Sequence, residues 1–180
     1  EDHSKVKRIF ILNQGKAANQ QLLKMFKRKL FILENQWAYW TYAVMAWVFN
    51  KTKFIFELPL TDTEYYEFIN AKTTLVLTEE EVKKGDTVLK KMGIDPQKDW
   101  FVCIHSRDGA YLKNHFPNVN WSYHDYRDSD INDFQKALQF IVDQGGYVIR
   151  MGSDVEKPLE IQHEKVIDYA VTDRSDFMDI

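Results

Sequence analysis

The residues best suited to chemistry follow an apolar run in the second half of the chain. His105, Arg107 and Asp108 come directly after the segment Phe101-Val102-Cys103-Ile104. An arginine guanidinium is permanently charged and binds phosphate or carboxylate groups through paired hydrogen bonds. The neighbouring histidine could donate a hydrogen bond or transfer a proton. This segment is therefore a candidate anion site. The alternative is that Arg107 pairs with an acidic residue and His105 has only a structural role.

Two more segments carry polar residues where ligands commonly bind. His124, Tyr126 and Arg127 precede a predicted helix, and helix N-termini attract anions. Arg150 ends a predicted strand, and Gly152 after it permits a close approach of the backbone. Helix capping and an ordinary turn are the alternatives for these two segments.

The elements around these residues predict an α/β fold. We expect strands at residues 6–12, 53–58, 74–77, 100–105, 147–151 and 166–170. We expect helices at residues 17–30, across 37–49, at 79–92 and 130–144, and from Ser175 or Asp176 onward, with a short helix or loop at 61–69. Strands that alternate with helical crossovers form parallel sheets. The uninterrupted apolar strand at 100–105 is of the kind buried on both faces of such a sheet.

Ligands of parallel sheets bind beyond the carboxyl ends of the strands. The loops at residues 13–19, 105–129 and 151–160 occupy that position in the predicted fold. Thr78 and Glu81 form a capping-box pattern at the start of the helix at 79–92, and Gly93 suits its end. The polar turn at 94–99 is the best candidate for a boundary, which gives domains at 1–97 and 98–180.

Composition excludes several functions. The 180 residues include 24 Lys and Arg against 27 Asp and Glu, and this net charge of -3 argues against a nucleic-acid binder. Aromatic residues make up 14% of the chain, and only 7 residues are glycine, so a glycine-rich phosphate loop is not expected. The sequence has no ligand spacing typical of zinc, and no metal is expected.

Two apolar features favour a cytoplasmic protein with a large core. The single cysteine, Cys103, cannot form an intrachain disulfide and is expected to be a small buried residue in a reducing compartment. Residues 37–49 carry no charge but are too few to span a bilayer, so a buried core helix is expected. The alternative is that Trp37, Trp40 and Trp47 face a membrane surface or a partner.

A series of blocks in fixed order also resembles a known family. The blocks are 79–94, 101–112, 124–131, 146–152 with 156–159, and 167–170 with 175–180. Together they resemble a family of bacterial glycosyltransferase-like proteins, which is similar in turn to the GT-B fucosyltransferases, including the protein O-fucosyltransferases and the nodulation fucosyltransferases. The resemblance covers residues 75–180 and extends more weakly to Gly15 and Asn19-Gln20.

The resemblance implies a GT-B-like fold of Rossmann-like parallel sheets flanked by helices, with the acceptor side in 1–97 and a donor domain in 98–180. It implies transfer of a sugar from a nucleotide diphosphate sugar, GDP-linked in the fucosyltransferases, to a saccharide or peptide, without a metal or another cofactor. Arg107 would hold the donor diphosphate and stabilise the leaving group, and His105 would orient the donor or the loop. The other residues that it assigns to donor or substrate binding are Asp108, His124, Tyr126, Arg127, Arg150, Gly152, Gly15 and Asn19.

The end of the sequence adds one expectation. Residues 177–180 fall in the first turn of the last predicted helix, so the donor domain is expected to be incomplete and the chain to be a fragment that is inactive on its own. One alternative is a non-catalytic module that binds a carbohydrate or a partner through its aromatic surface. Another is a phosphate-ester enzyme with His105 as nucleophile. Asp108, Asp125 and His124 are equal candidates for a general base.

Overall fold

A computed structural model describes residues 9–12, 15, 17–49, 74–172 and 174–180. The chain forms two compact units, Glu1–Leu77 and Thr78–Ile180. The division of the chain therefore falls between Leu77 and Thr78, and the polar turn at 94–99 belongs to the second unit. Ile94 explains this position, because it is fully buried against Ile149 and Tyr169. The assignment of the two units to acceptor and donor stays a prediction.

The first unit contains a two-stranded parallel sheet. Strand β1 is Ile9–Leu12, helix α1 is Gln20–Lys27, and strand β2 is Phe31–Glu34, which pairs with β1. The sequence did not predict β2, and it extended α1 by three residues at each end. Asn19 sets the true start of α1, because its side chain accepts a hydrogen bond from the Leu22 amide at 2.8 Å.

The aromatic segment forms helix α2, Gln36–Val48, but the predicted burial is wrong. No residue of α2 is buried, and Trp37 and Trp47 are 79% and 83% exposed. Asn35 caps the helix by accepting hydrogen bonds from the amides of Trp37 and Ala38. Among the described residues, no helix is long and apolar enough to cross a bilayer. The role of the tryptophans at a membrane surface or a partner stays a prediction.

Three other expectations in the first unit have different outcomes. The strand at 53–58 and the helix or loop at 61–69 lie outside the described residues. Residues 74–77 are described, and they do not form the predicted strand.

Helix α3 begins the second unit and confirms the capping prediction. It spans Glu79–Lys91. The Glu81 amide donates to the Thr78 hydroxyl at 3.3 Å, and the Thr78 amide donates to the Glu81 carboxylate at 2.9 Å. Gly93, with φ of 86°, provides the left-handed residue after the helix.

Replacing Thr78 with alanine should lower the free energy of unfolding of the second unit by about 1 kcal/mol, because the Glu81 amide loses its partner. Urea unfolding followed by circular dichroism measures the change. Thr87→Ala is the matched control. Its hydroxyl only donates back to the Lys83 carbonyl within α3, so its loss should be close to neutral. Equal effects of the two substitutions would contradict the capping role.

The second unit is built on a three-stranded parallel sheet, which confirms the α/β prediction. Strands β3 (Phe101–Ile104), β4 (Tyr147–Arg150) and β5 (Val166–Ile167) lie in the order β3-β4-β5. The register aligns Phe101 with Tyr147 and Val148 with Val166. Helix α4 is Ala110–His115, and helix α5 is Gln135–Asp143. 3₁₀ turns form Ser122–Arg127, Ile131–Phe134 and Tyr169–Val171.

The core lies against β4 rather than β3. Val148 and Ile149 are buried on opposite faces of the central strand. Leu138 and Val142 of α5 pack on the Val148 side, with Ile131 and Leu159. Strand β3 instead alternates between exposed and half-buried residues, so the prediction that it is buried on both faces is wrong.

Two further expectations in the second unit are corrected. Cys103 lies on the exposed side of β3, although partial desolvation still raises the pKa of its thiol. A raised pKa disfavours the thiolate that a nucleophile needs.

No helix begins at Ser175 or Asp176. The segment forms turns, anchored where the Tyr169 hydroxyl accepts a hydrogen bond from the Ser175 amide at 2.6 Å.

Candidate functional site

The candidate residues of the second unit gather at the carboxyl edge of its sheet. The Met151 amide donates to the Ile104 carbonyl at 2.8 Å, so the loops after β3 and β4 start side by side. His105 is exposed, and its Nδ1 lies 3.4 Å from the Met151 carbonyl oxygen. The structure thus brings His105 to the predicted edge and gives it a contact with the neighbouring loop.

Two serines, Ser106 and Ser129, hold the start and the end of the loop after β3 together. The buried Ser106 hydroxyl donates to the Ser129 carbonyl at 2.7 Å, and the Ser129 amide donates to the Arg107 carbonyl at 2.9 Å. These hydrogen bonds fix the position of the Arg107 backbone after the end of β3. Residues 107–128 therefore form a segment whose two ends lie side by side.

Arg107 has one ionic partner, as the structural alternative from the sequence expected. Its Nε lies 3.5 Å from Asp128 Oδ1, and its side chain is 36% exposed. No ion pair with an acidic residue other than Asp128 is found for Arg107 among the described residues. The guanidinium is therefore held at one edge and remains able to bind an anion with the other.

Asp108 joins the two loops. Its Oδ1 accepts from the Ala110 amide at 3.0 Å, and its Oδ2 accepts from the Glu156 amide at 3.0 Å. Each carboxylate oxygen holds a backbone group, which indicates a structural role and weakens Asp108 as a candidate base. An ion pair between Lys113 and Glu156 strengthens the same junction.

Helix α4 is also fastened to the loop after β4 through Asp154. Asn114 Nδ2 donates to Asp154 Oδ1 at 3.1 Å, and His115 Nε2 lies 3.3 Å from Asp154 Oδ2. The Asn114 hydrogen bond, with a smaller contribution from His115, lowers the pKa of the Asp154 carboxyl below its ordinary value.

The lowered pKa makes this junction sensitive to acid. A carboxyl group with a depressed folded-state pKa stabilises the fold above its unfolded pKa of about 4 and loses that contribution as the pH falls through the folded value. The stability difference between wild type and Asp154→Asn should therefore shrink as the pH falls below about 4. Urea titrations at several pH values measure it. A difference that is independent of pH would contradict the role of the Asp154 charge.

Arg150 is placed differently from its prediction as a free donor-binding cation. Its side chain is 1% exposed, and Nη1 donates to the Lys157 carbonyl at 2.6 Å and to Asp168 at 3.2 Å. The Leu159 amide donates to the same carboxylate at 2.7 Å. Arg150 reaches the wall of a cavity, but its charge is neutralised by Asp168 and its main role is to hold the loop after β4.

Gly152 follows with a φ of 152° that favours glycine. A Cβ there would lie 3.0 Å from Val155 Cγ1 and 3.5 Å from Ala170 Cβ. The structure therefore explains Gly152 by local packing.

Tyr126 and Arg127 line neither of the two cavities described below. Tyr126 is 78% exposed, and its hydroxyl accepts from Arg127 Nε at 2.8 Å. The guanidinium also lies 5.2 Å from the centre of the Tyr126 ring. The two side chains form a local pair at the surface, separate from Arg107.

Gly15 and Asn19 lie in the first unit. Gly15 has a φ of 72°, and Asn19 caps α1 after β1. Both follow the carboxyl end of a parallel strand, as predicted, and their relation to the second unit stays a prediction.

Two cavities flank Asp128. The first has a volume of about 210 Å³ and is lined by Asp108, Asp128, Ser129, Asp130, Ile131, Arg150, Glu156 and Lys157. The second has about 300 Å³ and is lined by Gly109, Leu112, Lys113, Phe116, Pro117, Val119, Asn120, Trp121, Ser122, His124, Asp125 and Asp128. Of the predicted site residues, Asp108 and Arg150 line the first cavity, and His124 and the candidate base Asp125 line the second.

The residue that the sequence missed as part of the site is Asp128. It lines both cavities and contacts Arg107. The position of Asp128 before the predicted helix favours a capping role. The residue that caps is Asp130, whose carboxylate accepts a hydrogen bond from the Asn132 amide. The Lys157 ammonium binds Asp130 at 2.6 Å and lowers the pKa of that carboxyl. Arg107 and Asp128 pair across a long segment of the chain, and no pattern in the sequence indicates this ion pair.

Within the described parts of the chain, no group of three or more His, Cys, Asp or Glu side chains is arranged to hold a metal ion. No protein-family model, no curated protein and no solved structure matches this chain.

Proposed function

We propose that this chain belongs to a sugar transferase that uses a nucleotide diphosphate sugar, with Arg107 as the group that binds the diphosphate. The observation that carries the proposal is the position of Arg107. Arg107 follows the carboxyl end of β3, and about a third of its side chain is exposed. Its Nε lies 3.5 Å from Asp128 Oδ1. The acceptor is a saccharide or a peptide.

The electrostatics support this role. Cleavage of the donor C–O bond leaves negative charge on the nucleoside diphosphate, and a guanidinium positioned in advance stabilises that charge. The Arg107–Asp128 contact is long and partly exposed, so it contributes little to stability. A diphosphate offers paired charge-assisted hydrogen bonds and can take the place of Asp128 at small cost.

The surroundings support the same class of reaction. Ligands of parallel α/β sheets bind at the carboxyl edge, where Arg107 follows β3 and Arg150 at the end of β4 lines the first cavity. The parallel sheets are compatible with Rossmann-like domains, and a GT-B arrangement is part of the proposal, as the resemblance of the ordered blocks implies. His105 beside Met151 is suited to orienting the loop.

Isothermal titration of the chain with GDP, GDP-fucose and UDP-sugars tests the proposal. We expect saturable binding of at least one of these ligands, unchanged by EDTA, because Arg107 supplies the positive charge. Heats no larger than those of dilution for every ligand would contradict it.

Two observations favour a second candidate, a non-catalytic carbohydrate-binding module. Arg107 is already paired with Asp128, and the larger cavity is lined by aromatic and apolar side chains. In that case Arg107→Ala would leave ligand binding unchanged. The response of nucleotide binding to this substitution therefore separates the two candidates.

A further inference from the structure

The larger cavity has the composition of a site for a neutral polar ring. About 300 Å³ in volume, it is at the lower end of the range for small-molecule sites. Leu112, Phe116, Pro117, Val119 and Trp121 form its apolar part. Polar groups from several segments surround them, and they include Lys113, Asn120, Ser122 and Asp125.

The aromatic part of the cavity is fixed before any ligand arrives. Trp121 Nε1 donates to the Phe116 carbonyl at 3.2 Å, and the Phe116 ring meets the Trp121 ring at 64°. His124 stacks on Trp121 with 19° between the planes and a centroid distance of 6.0 Å. A rigid apolar wall favours binding, because little conformational entropy is lost when a ligand packs against it.

Two residues that line this cavity each have a buried side-chain atom without a hydrogen bond, His124 Nδ1 and Asp128 Oδ1. Asp128 Oδ1 is in ionic contact with Arg107 Nε at 3.5 Å, so His124 Nδ1 is the one of the two that has no polar contact. Burial of an unpaired polar atom is costly, and such atoms mark places where a ligand or an ordered water completes the structure. A hydroxyl group suits both side chains, because it can donate to a carboxylate and can either donate to or accept from an imidazole nitrogen.

The charge of the cavity excludes an anion as its occupant. Asp125 and Asp128 line it, and its cation Lys113 is already paired with Glu156. The Glu156 carboxylate raises the pKa of Lys113, which keeps that pair charged. A phosphate here would face two carboxylates, whereas a neutral polyol would satisfy them with hydrogen bonds.

We infer that this cavity binds the pyranose ring of a sugar, whose C–H face packs on Trp121 while its hydroxyl groups bond His124 and Asp128. The inference deepens the proposed function and rests on it for the identity of the sugar as the donor's or the acceptor's. Asp128 also contacts Arg107, so the ring lies next to the group that is proposed to hold the diphosphate.

Saturation-transfer NMR with the methyl pyranosides of L-fucose, D-mannose, D-galactose and N-acetyl-D-glucosamine tests the inference. We expect saturation transfer to at least one pyranoside, a loss of affinity of about tenfold or more in Trp121→Ala, and retention in Trp121→Phe. Phe140→Ala is the matched control, because Phe140 is a 64% exposed aromatic residue of α5 that lines neither cavity. Circular dichroism checks that each variant is folded.

The inference is overturned if no pyranoside receives saturation, if Trp121→Ala binds as well as wild type, or if guanosine displaces the sugar from the same site. The last result would make the cavity a nucleobase site. If a pyranoside binds as expected while nucleotide diphosphates do not bind, the inference stands and the proposed function fails.

Discussion

Replacing Arg150 with methionine should lower the free energy of unfolding by about 3–5 kcal/mol, because the substitution leaves the Asp168 carboxylate without its buried cation. The Arg150 side chain is 1% exposed and that of Asp168 is 15% exposed. The substitution also removes the hydrogen bond to the Lys157 carbonyl, which holds the loop after β4.

Guanidinium unfolding measures this loss, with Lys98→Met as the control. Lys98 pairs with Asp95 at 3.3 Å, but its side chain is 80% exposed, so the control should lose less than about 1 kcal/mol. A different result would restore the sequence prediction. If Arg150→Met kept its stability but lost nucleotide binding, Arg150 would be a donor-binding residue rather than a buried structural pair.

Replacing Arg107 with alanine should weaken nucleotide diphosphate binding by the chain. In an active protein that contains the chain, it should lower kcat/KM for sugar transfer by about 10²–10³-fold, the cost of removing one group that stabilises developing charge. The fold should persist, because the Arg107–Asp128 contact is long and partly exposed. Arg107→Lys should recover only part of the effect, since an ammonium cannot form paired bonds to a phosphate.

Lys136→Ala is the matched control for Arg107→Ala, because it removes one exposed positive charge from α5 without touching either cavity. It should change binding by less than about twofold at physiological ionic strength, where distant surface charges are screened. A similar loss in both variants would mean that binding depends on overall charge. No loss in Arg107→Ala would favour the non-catalytic module.

Local signals in the sequence predicted the parts of the fold that depend on neighbouring residues. The Thr78 and Glu81 capping box and the Gly93 terminus of α3 depend on residues within a turn or two, and both were confirmed. The parallel sheet of the second unit was predicted from the alternation of apolar strands with helices, and it too is present. The strand β2 was not predicted, although it is as long as β1, β3 and β4, which were.

Burial was the least predictable property. The apolar composition of α2 indicated a core helix, yet Trp47 is 83% exposed. Hydrophobicity states only that burial would be favourable, whereas actual burial requires a partner surface that the sequence of one helix does not reveal. Strand β3 shows the same limit, because β4 occupies the centre of the sheet.

The sequence predicted the location of the candidate site better than it predicted which residues form ion pairs there. The rule for strand ends placed His105 and Arg107 at the correct edge. The Arg107–Asp128 and Arg150–Asp168 pairs join residues distant in sequence, and only the folded loops bring them together. The sequence therefore indicates neither the burial of Arg150 beside Asp168 nor the contact of Asp128 with Arg107.

A crystal structure of the chain with bound GDP would show directly whether Arg107 holds the diphosphate. We expect diphosphate oxygens about 2.7–2.9 Å from the terminal amino groups of Arg107, in paired hydrogen bonds, with Asp128 released from Nε. Diphosphate density at another site, with Arg107 still paired to Asp128, would rule out this role of Arg107.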